Sequence, residues 1–158
     1  MKNHVVIVGG SKGLGRVVAE NFLTRGFLVT VLSRTRPSYN DNIHHIFVDL
    51  NKVKDANELA ATVANYNSKL RYLIFCQRYR GEEDDWAGEL QVSLTATKLL
   101  IDAFESYFEI NEDCAIGIVS SVYANFVGGS QPASYHVAKA GLNQLVKFNA
   151  WVLGKKGI

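Results

Sequence analysis

Residues 4–15 read His-Val-Val-Ile-Val-Gly-Gly-Ser-Lys-Gly-Leu-Gly, an apolar run that passes directly into a glycine-rich segment. The following residues, 14–25, have helical periodicity, and Gly26 stops the predicted helix. A strand, a tight turn and a helix in immediate succession are typical of a βα unit whose helix N-terminus can bind an anion. Glycine at positions 9, 13 and 15 lets the backbone turn tightly and approach a ligand closely. An ordinary βα turn also fits this stretch when it is taken alone.

The same alternation of strand and helix continues to the end of the chain. The predicted strands are His4–Val8, Phe27–Leu32, His45–Val48, Tyr72–Cys76 and Ala115–Ser120, and the predicted helices are Leu14–Arg25, Val53–Tyr66, Trp86–Phe108 and Pro132–Lys155. Most of the strands are continuously apolar, as strands covered by helices on both faces are. We therefore predict an α/β fold, a Rossmann-type doubly wound parallel sheet in three layers (α/β/α) with five strands present.

The composition bounds the possible classes of protein. Of the 158 residues, 47% are hydrophobic and 20% charged, which predicts a single domain, 1–158, and excludes intrinsic disorder. Seventeen basic and fifteen acidic residues leave a net charge of +2, too small for a nucleic-acid-binding surface. No apolar run approaches the ~18 residues of a membrane span or the ~7–15 residues of a secretory signal core. We expect a cytoplasmic protein with no nucleic-acid or membrane partner.

The histidines and cysteines do not predict a metal site. His44 and His45 precede the third predicted strand, and His136 stands alone in the last helix, so none has a second ligand at metal spacing. Cys76 and Cys114 lie in apolar strand-like runs and are predicted to be free, buried thiols.

The end of the second strand indicates which dinucleotide the glycine turn would bind. In dinucleotide folds an acid at this point binds the free 2′-hydroxyl of NAD. Here Ser33 and Arg34 stand instead, and Lys12 lies in the glycine turn, so two cations favour the 2′-phosphate of NADP(H). A solvated strand end also explains Arg34. After the third strand, Asp49 and Leu50 are placed to meet the adenine, although Asp49 could instead cap the next helix.

A candidate reacting centre lies near the end of the chain. Tyr135 and Lys139 are four residues apart, which places both on one face of a helix. A positive charge ~6 Å from a phenolate, at an effective dielectric of ~20, is worth ~2.8 kcal/mol, which favours proton exchange with a substrate oxygen. Ser121 follows the fifth strand at the edge where open α/β sheets bind ligands, and its hydroxyl could bind the same oxygen. An exposed helical pair and a capping serine are the alternatives.

The glycine turn, the strand-end Ser120-Ser121 and Tyr135-x-x-x-Lys139 occur in this order, each on the element where the chemistry needs it. In this combination the chain resembles the short-chain dehydrogenase/reductase family over all 158 residues. The resemblance implies an oxidoreductase that transfers hydride between a nicotinamide cofactor and a small-molecule carbonyl or secondary alcohol. It implies that Tyr135 is the acid/base, that Ser121 binds the substrate oxygen and that Lys139 assists the tyrosine and holds the nicotinamide ribose.

The resemblance also implies a homo-oligomer, a dimer or tetramer paired through the helices 86–108 and 132–155. Gly-Gly-Ser-Lys-Gly-Leu-Gly followed by Ser33-Arg34 is similar to the NADPH-preferring members. The predicted cofactor-binding residues are Gly9, Ser11, Lys12, Gly13, Leu14, Gly15, Ser33, Arg34, Asp49, Leu50, Tyr135 and Lys139, and the predicted catalytic residues are Ser121, Tyr135, Lys139 and Ser93.

Four features depart from the family pattern. Val8 replaces a threonine, and Phe75-Cys76-Gln77-Arg78 replaces the family's Asn-Asn-Ala-Gly beside the cofactor. Ser93 stands where the family has the asparagine of a proton relay. The chain ends at Ile158, where the sixth strand would begin, so we expect a C-terminally truncated reductase that lacks most of the substrate pocket.

Two other functions fit parts of the pattern. A non-catalytic NAD(P)-binding module, regulatory or scaffolding, would explain the altered segment 75–78, Ser93 and the missing pocket. A sugar-nucleotide epimerase also uses Tyr-x-x-x-Lys, but its glycine spacing, G-x-x-G-x-x-G, does not match residues 9–15.

Overall fold

The computed structural model describes residues 2–66, 68–110 and 112–158. Its five strands form one parallel sheet in the order β3-β2-β1-β4-β5. The predicted doubly wound fold is confirmed, with strand ends shifted by one to three residues. The order reverses direction between β1 and β4, the point at which open α/β sheets bind ligands. The strands are β1 Asn3–Val8, β2 Leu28–Ser33, β3 His44–Phe47, β4 Lys69–Phe75 and β5 Ala115–Ile118.

The helices lie between the strands as predicted, with two differences. The second helix begins at Asn57 rather than Val53, because the Asp55 carboxylate accepts a hydrogen bond from the Asn57 N–H at 2.9 Å. The single helix predicted over 86–108 is instead two α-helices joined by a π-helical turn, Gln91–Thr95. The helices are α1 Gly13–Thr24, α2 Asn57–Ala64, α3 Trp86–Leu90, α4 Ala96–Phe104 and α5 Ala133–Leu153, with 3₁₀ turns at Glu105–Tyr107, Val122–Ala124 and Gly154–Lys156.

Alternate side chains of the strands fill two hydrophobic cores, one on each face of the sheet. On β1, Val6 and Val8 face the core that contains Leu100 and Phe104 of α4. Val5 and Ile7 of the same strand face the core beneath α1. This period-two alternation follows from the pleat of the strand. It confirms the three layers of the predicted fold.

The glycine turn is held by close backbone contacts. Gly9 has a φ of +81°, and a Cβ atom there would lie 2.7 Å from the backbone N and Cα of Gln77. A Cβ atom on Gly15 would overlap the carbonyl oxygen of Gly9. The Tyr39 hydroxyl donates to the Gly10 carbonyl at 2.7 Å. The strand ends and α1 therefore meet at a spacing that leaves no room for side chains.

His4 is a buried polar residue of β1. Its Nε2 lies 2.8 Å from Thr30 Oγ1 and its Nδ1 lies 2.8 Å from Ser68 Oγ. Burial, assisted by the nearby His44, lowers the pKa of His4 from 6.5 to about 4. The imidazole is therefore neutral in the folded protein at neutral pH.

Further expectations concern thiols, metals and membranes. Cys76 and Cys114 are free, as predicted, but only partly buried, and burial raises the pKa of the Cys76 thiol. Within the described ranges no three metal-ligating side chains cluster. No helix of these ranges is long and apolar enough to span a bilayer.

Replacement of Gly9 by alanine should destabilise the fold, since the new methyl group meets backbone at a left-handed φ. We expect the free energy of unfolding to fall by about 2 kcal/mol or more in urea titrations. Gly154→Ala is the matched control, because nothing lies within 4 Å of a Cβ atom there; it should change the free energy by less than about 0.5 kcal/mol. Equal losses in both variants would contradict the close contact.

Stability should depend on pH through His4. Unfolded histidine takes up a proton near pH 6.5, whereas the folded protein resists protonation down to about pH 4. The contribution is full above pH 6.5 and is lost as the pH falls towards 4. From pH 7.5 to 5.0 the wild type should lose about 2 kcal/mol more stability than His4→Gln, measured by urea unfolding. Parallel losses in the two proteins would contradict the buried neutral imidazole.

Candidate active site

Three predicted site segments meet at the carboxyl edge of the sheet. The Cys76 N–H donates to the Val8 carbonyl at 2.8 Å, and the Val119 N–H donates to the Phe75 carbonyl at 2.9 Å. These hydrogen bonds continue the ladder past the ends of β1, β4 and β5. The glycine turn, the segment after Phe75 and the Ser120-Ser121 pair are therefore held at one edge.

Lys139 connects α5 to this edge. Its side chain is buried, with 3% of the residue exposed, and its Nζ donates to the Val119 carbonyl at 2.9 Å. The same Nζ lies 5.6 Å from the ring centroid of Tyr135, close to the separation expected from the helical spacing. Burial lowers the pKa of Lys139, the Glu89 carboxylate opposes that change, and the Arg78 guanidinium adds to it. The lysine thus places a buried cation beside the phenol.

Ser121 has extended backbone and caps the following 3₁₀ turn. Its Oγ accepts a hydrogen bond from the Tyr123 N–H at 3.2 Å. The serine therefore does cap this turn, as the alternative interpretation predicts. The Tyr123 ring in turn packs edge-on against Tyr135, with centroids 6.4 Å apart. The adjacent Ser120 hydroxyl is buried without a hydrogen-bond partner among the described residues. Ser121 and Tyr135 are therefore linked through one intervening aromatic side chain.

Ser93 lies in the π-helical turn with 2% of its surface exposed. Its hydroxyl donates to the carboxylate of Glu89, and its carbonyl accepts a 2.7 Å hydrogen bond from Thr97 Oγ1. Gln77 Nε2 donates to that threonine at 2.8 Å. Glu89, 4% exposed, is a residue that sequence reasoning missed. The sequence carries one signal for Glu89: an acid stands one helical turn before Ser93, on the face of the helix that is buried.

The segment that replaces the family's small residues contacts the tyrosine. The Arg78 guanidinium carbon lies 5.2 Å from the Tyr135 ring centroid, and its Nη2 donates to Gln131 Oε1 at 2.7 Å. A cavity of about 250 Å³ opens here, and its lining includes Arg78, Tyr135, Glu89 and Arg80. Side chains of both charges therefore line the space beside the phenol.

The glycine turn leads into a helix whose N-terminus is uncapped by side chains. Lys12 is the N-cap residue with extended backbone and makes no side-chain cap, and among the described residues no side-chain oxygen accepts from the first N–H groups of α1. Lys12 and Leu14 are exposed, Ser11 is partly buried, and Gly13 has a φ of +57°. A tight glycine cradle below free N–H groups, with no acid in the first helical turn, fits the diphosphate of a dinucleotide.

The predicted ribose and adenine contacts lie at the ends of β2 and β3. Arg34 is exposed, and the Ser33 hydroxyl donates to the Thr35 carbonyl at 2.7 Å. Asp49 accepts from the Asn51 N–H at 3.2 Å, in a turn six residues before α2 begins, so it does not cap that helix. Leu50 is buried. The structure therefore leaves the Arg34 side chain accessible at this corner.

Two curated proteins have sequences similar to this chain. YtkK of Bacillus subtilis is 26% identical over 168 residues, covering 91% of this chain and 65% of that protein. Isoepoxydon dehydrogenase patN of Penicillium expansum is 24% identical over 172 residues, covering 98% of this chain and 66% of that protein. The chain spans about two thirds of the length of these relatives.

Solved structures share the fold of this chain, and a family profile identifies its family. A short chain dehydrogenase from Leptospira borgpetersenii with bound NAD+ has a TM-score of 0.86 at 22% identity, covering 100% of this chain and 68% of that one. The Pseudomonas aeruginosa RhlG/NADP active-site complex gives 0.84 at 21% identity, covering 99% and 68%. The profile of the short chain dehydrogenase family matches residues 3–158. The chain therefore belongs to the short chain dehydrogenase family.

Proposed function

We propose that residues 1–158 form a single NADP(H)-binding domain of an oxidoreductase that transfers hydride between the nicotinamide and a small-molecule carbonyl or secondary alcohol. The observation that carries this proposal is the buried Lys139 ammonium, 5.6 Å from the Tyr135 ring at the carboxyl edge of the sheet. A buried charge costs several kcal/mol, so its position beside a phenol indicates chemical use rather than stability.

The residues of the glycine turn fit a dinucleotide diphosphate. Gly9 and Gly15 let the end of β1, the segment after β4 and α1 pack at backbone distance, which gives the turn its tight shape, and the N-terminus of α1 offers N–H groups without a side-chain cap. The bound cofactor would supply or accept the hydride. The protein's own contribution is to orient both reactants and to exclude water from them.

Proton transfer falls to Tyr135. In the direction of reduction, the Tyr135 hydroxyl gives its proton to the substrate oxygen as the carbonyl becomes an alcohol; in oxidation the phenolate takes that proton back. The Lys139 ammonium stabilises the phenolate form, and its hydrogen bond to the Val119 carbonyl fixes its position. Ser121 would donate to the same oxygen, and this requires its hydroxyl proton, which the Tyr123 N–H contact leaves free.

Two exposed cations support NADP(H) as the cofactor. Lys12 and Arg34 lie after β1 and β2 where the ribose of a dinucleotide sits, and no carboxylate stands at the end of β2. Among the proteins of similar fold, one has NAD+ bound and another is an NADP complex. The choice therefore rests on the side chains of this chain.

A non-catalytic NAD(P)-binding module remains the second candidate function. Two observations favour it: Arg78 lies over the Tyr135 ring, and the Ser93 hydroxyl is engaged in a hydrogen bond to the Glu89 carboxylate. Such a module would bind the dinucleotide without turnover of any carbonyl compound. The substitution of Tyr135 below separates the two functions.

We also propose a homo-oligomer and a cytoplasmic site of action. Large apolar side chains stand exposed on α3 and α5, including Trp86 at 49%, Phe148 at 58% and Trp151 at 65%. Exposed apolar groups on neighbouring helices are typical of contact surfaces. The two unpaired cysteines are those of a protein kept in a reducing compartment.

Tyr135→Phe should remove turnover while the protein still binds the cofactor. We expect the rate of NADPH oxidation with a panel of ketones and aldehydes to fall at least ~100-fold, since the acid/base is lost while the ring remains. The dissociation constant for NADPH, measured by fluorescence, should change by about tenfold at most, far less than the rate, because only one of the predicted cofactor contacts loses its hydroxyl. Tyr107→Phe, on a distant 3₁₀ turn, is the control. A wild type that binds NADPH but reduces nothing would favour the non-catalytic module.

Arg34→Asp should shift the cofactor preference. Loss of the guanidinium and gain of a carboxylate should weaken NADPH binding about tenfold or more, while NADH binding changes little or improves. Arg36→Asp, also exposed, controls for the change in net charge. Equal effects of the two substitutions would contradict a 2′-phosphate contact at Arg34.

A further inference from the structure

Glu89 is a buried acid that the proposed proton transfer does not use. It is 4% exposed, and the nearby Ser93 and Lys139 are 2% and 3% exposed. Carboxylates are rarely found at such depth without a partner, because desolvation of an unpaired charge is costly. Its position in α3 therefore calls for a compensating group.

The hydrogen bonds of Glu89 do not supply that compensation in full. The Ser93 hydroxyl donates to its carboxylate, which fixes the orientation of the side chain. A carboxylate has about four acceptor sites, and a neutral hydroxyl carries no charge. Among the ion pairs of the described ranges, none with a separation of 4.0 Å or less includes Glu89. A cation that balances this carboxylate within the described ranges therefore lies more than 4.0 Å from its oxygens.

Lys139 is the cation placed to do so. Burial is the main influence that lowers its pKa, and the Arg78 guanidinium acts in the same sense. Glu89 is the acid that opposes them. The hydrogen-bond acceptor of the Lys139 ammonium, the Val119 carbonyl, carries no net charge. Among the ion pairs of 4.0 Å or less in the described ranges, none includes Lys139 either.

We propose that Glu89, oriented by Ser93, is the counter-charge that keeps Lys139 in its ammonium form, and that it is a positioning residue for the acid/base Tyr135. The catalytic part of this inference rests on the proposed function; the pairing of the two charges does not. Glu89 also lines the cavity that Tyr135 lines, and the Lys139 Nζ lies 5.6 Å from the centroid of that tyrosine ring, so geometry places the acid, the phenol and the ammonium around one point.

Other charged and titratable groups face this pair, and their roles differ. Asp85, the N-cap of α3, accepts from the Gly88 N–H and from the Tyr79 hydroxyl, so its carboxylate is already occupied. Asp84 accepts from the Ser134 N–H of α5 at 3.1 Å. The charged and titratable groups that line the same cavity as Glu89 are Arg78, Tyr79, Arg80, Glu83 and Asp85 from the β4–α3 connection and Tyr135 from α5.

The test is a direct titration of Lys139 by NMR. Protein labelled with ¹³C,¹⁵N-lysine is titrated from pH 6 to 12, and the Lys139 side-chain resonance is assigned by its loss in Lys139→Met. In Glu89→Gln, which keeps the shape and the Ser93 contact, the Lys139 titration should move down by about one pH unit. Glu89→Asp should keep most of the wild-type value. Asp102→Asn, which removes an exposed acid of α4, should leave Lys139 unchanged.

A displacement in Glu89→Gln that is absent in Asp102→Asn supports the pairing, whereas an unchanged Lys139 titration in Glu89→Gln overturns it. If Glu89→Gln does not fold, wild-type protein labelled with ¹³C-glutamate still tests the charge pair. Its Glu89 carboxyl ¹³C resonance, assigned by its loss in Glu89→Asp, should shift at the pH where Lys139 loses its proton. A Glu89 carboxyl resonance that does not shift at that pH overturns the proposal.

Turnover gives the separate catalytic readout. If the wild type reduces a carbonyl compound, the high-pH limb of its rate profile should move down by the same interval in Glu89→Gln, with little change in the NADPH dissociation constant. An unmoved limb overturns the positioning role. If no carbonyl compound is reduced by the wild type, the proposed function fails, while the lysine titration still tests the charge pair because it needs neither cofactor nor substrate.

Discussion

The arrangement of the site depends on one buried hydrogen bond, from the Lys139 ammonium to the carbonyl of Val119. It joins α5 to the residue that follows β5, and so it holds the tyrosine helix against the edge where the parallel strands end. Desolvation of an ammonium at this depth costs free energy, and this destabilising group lies where the proposed proton transfer would use its charge. The Tyr135 ring, the Glu89 carboxylate and the Arg78 guanidinium are all arranged around this cation.

The backbone packing at the glycine turn is the second constraint. Gly9 lies against Gln77, so the turn after β1 and the segment after β4 fix each other. Gln77 then reaches Thr97, and Thr97 reaches the carbonyl of Ser93. A chain of contacts therefore runs from the glycine turn through Gln77 and Thr97 to Ser93 and the buried Glu89.

Much of this architecture could be predicted from the sequence. Continuous apolar runs between helical segments predict a parallel sheet. The glycine turn and the Tyr135–Lys139 spacing could also be predicted, because each depends only on residues close together in the sequence. The π-helical turn has no such local signature, because its residues, Gln91–Thr95, include no glycine or proline that would mark a break in the helix. The burial of Glu89 was missed for a related reason: an acid in an amphipathic helix is expected on the solvent face, and tertiary packing overrides that expectation. The helix start at Asn57 depends on a side-chain contact of Asp55.

The π-helical turn also constrains how this part of the chain can vary. It adds one residue between α3 and α4, and one residue corresponds to about 100° of rotation around a helix axis. The insertion therefore sets the angle between the face of α3 that buries Glu89 and the face of α4 that buries Leu100. Deletion of a single residue here would turn the acid away from Lys139 even if every remaining side chain were preserved. In Gln91–Thr95 the number of residues is therefore under tighter physical control than their identity.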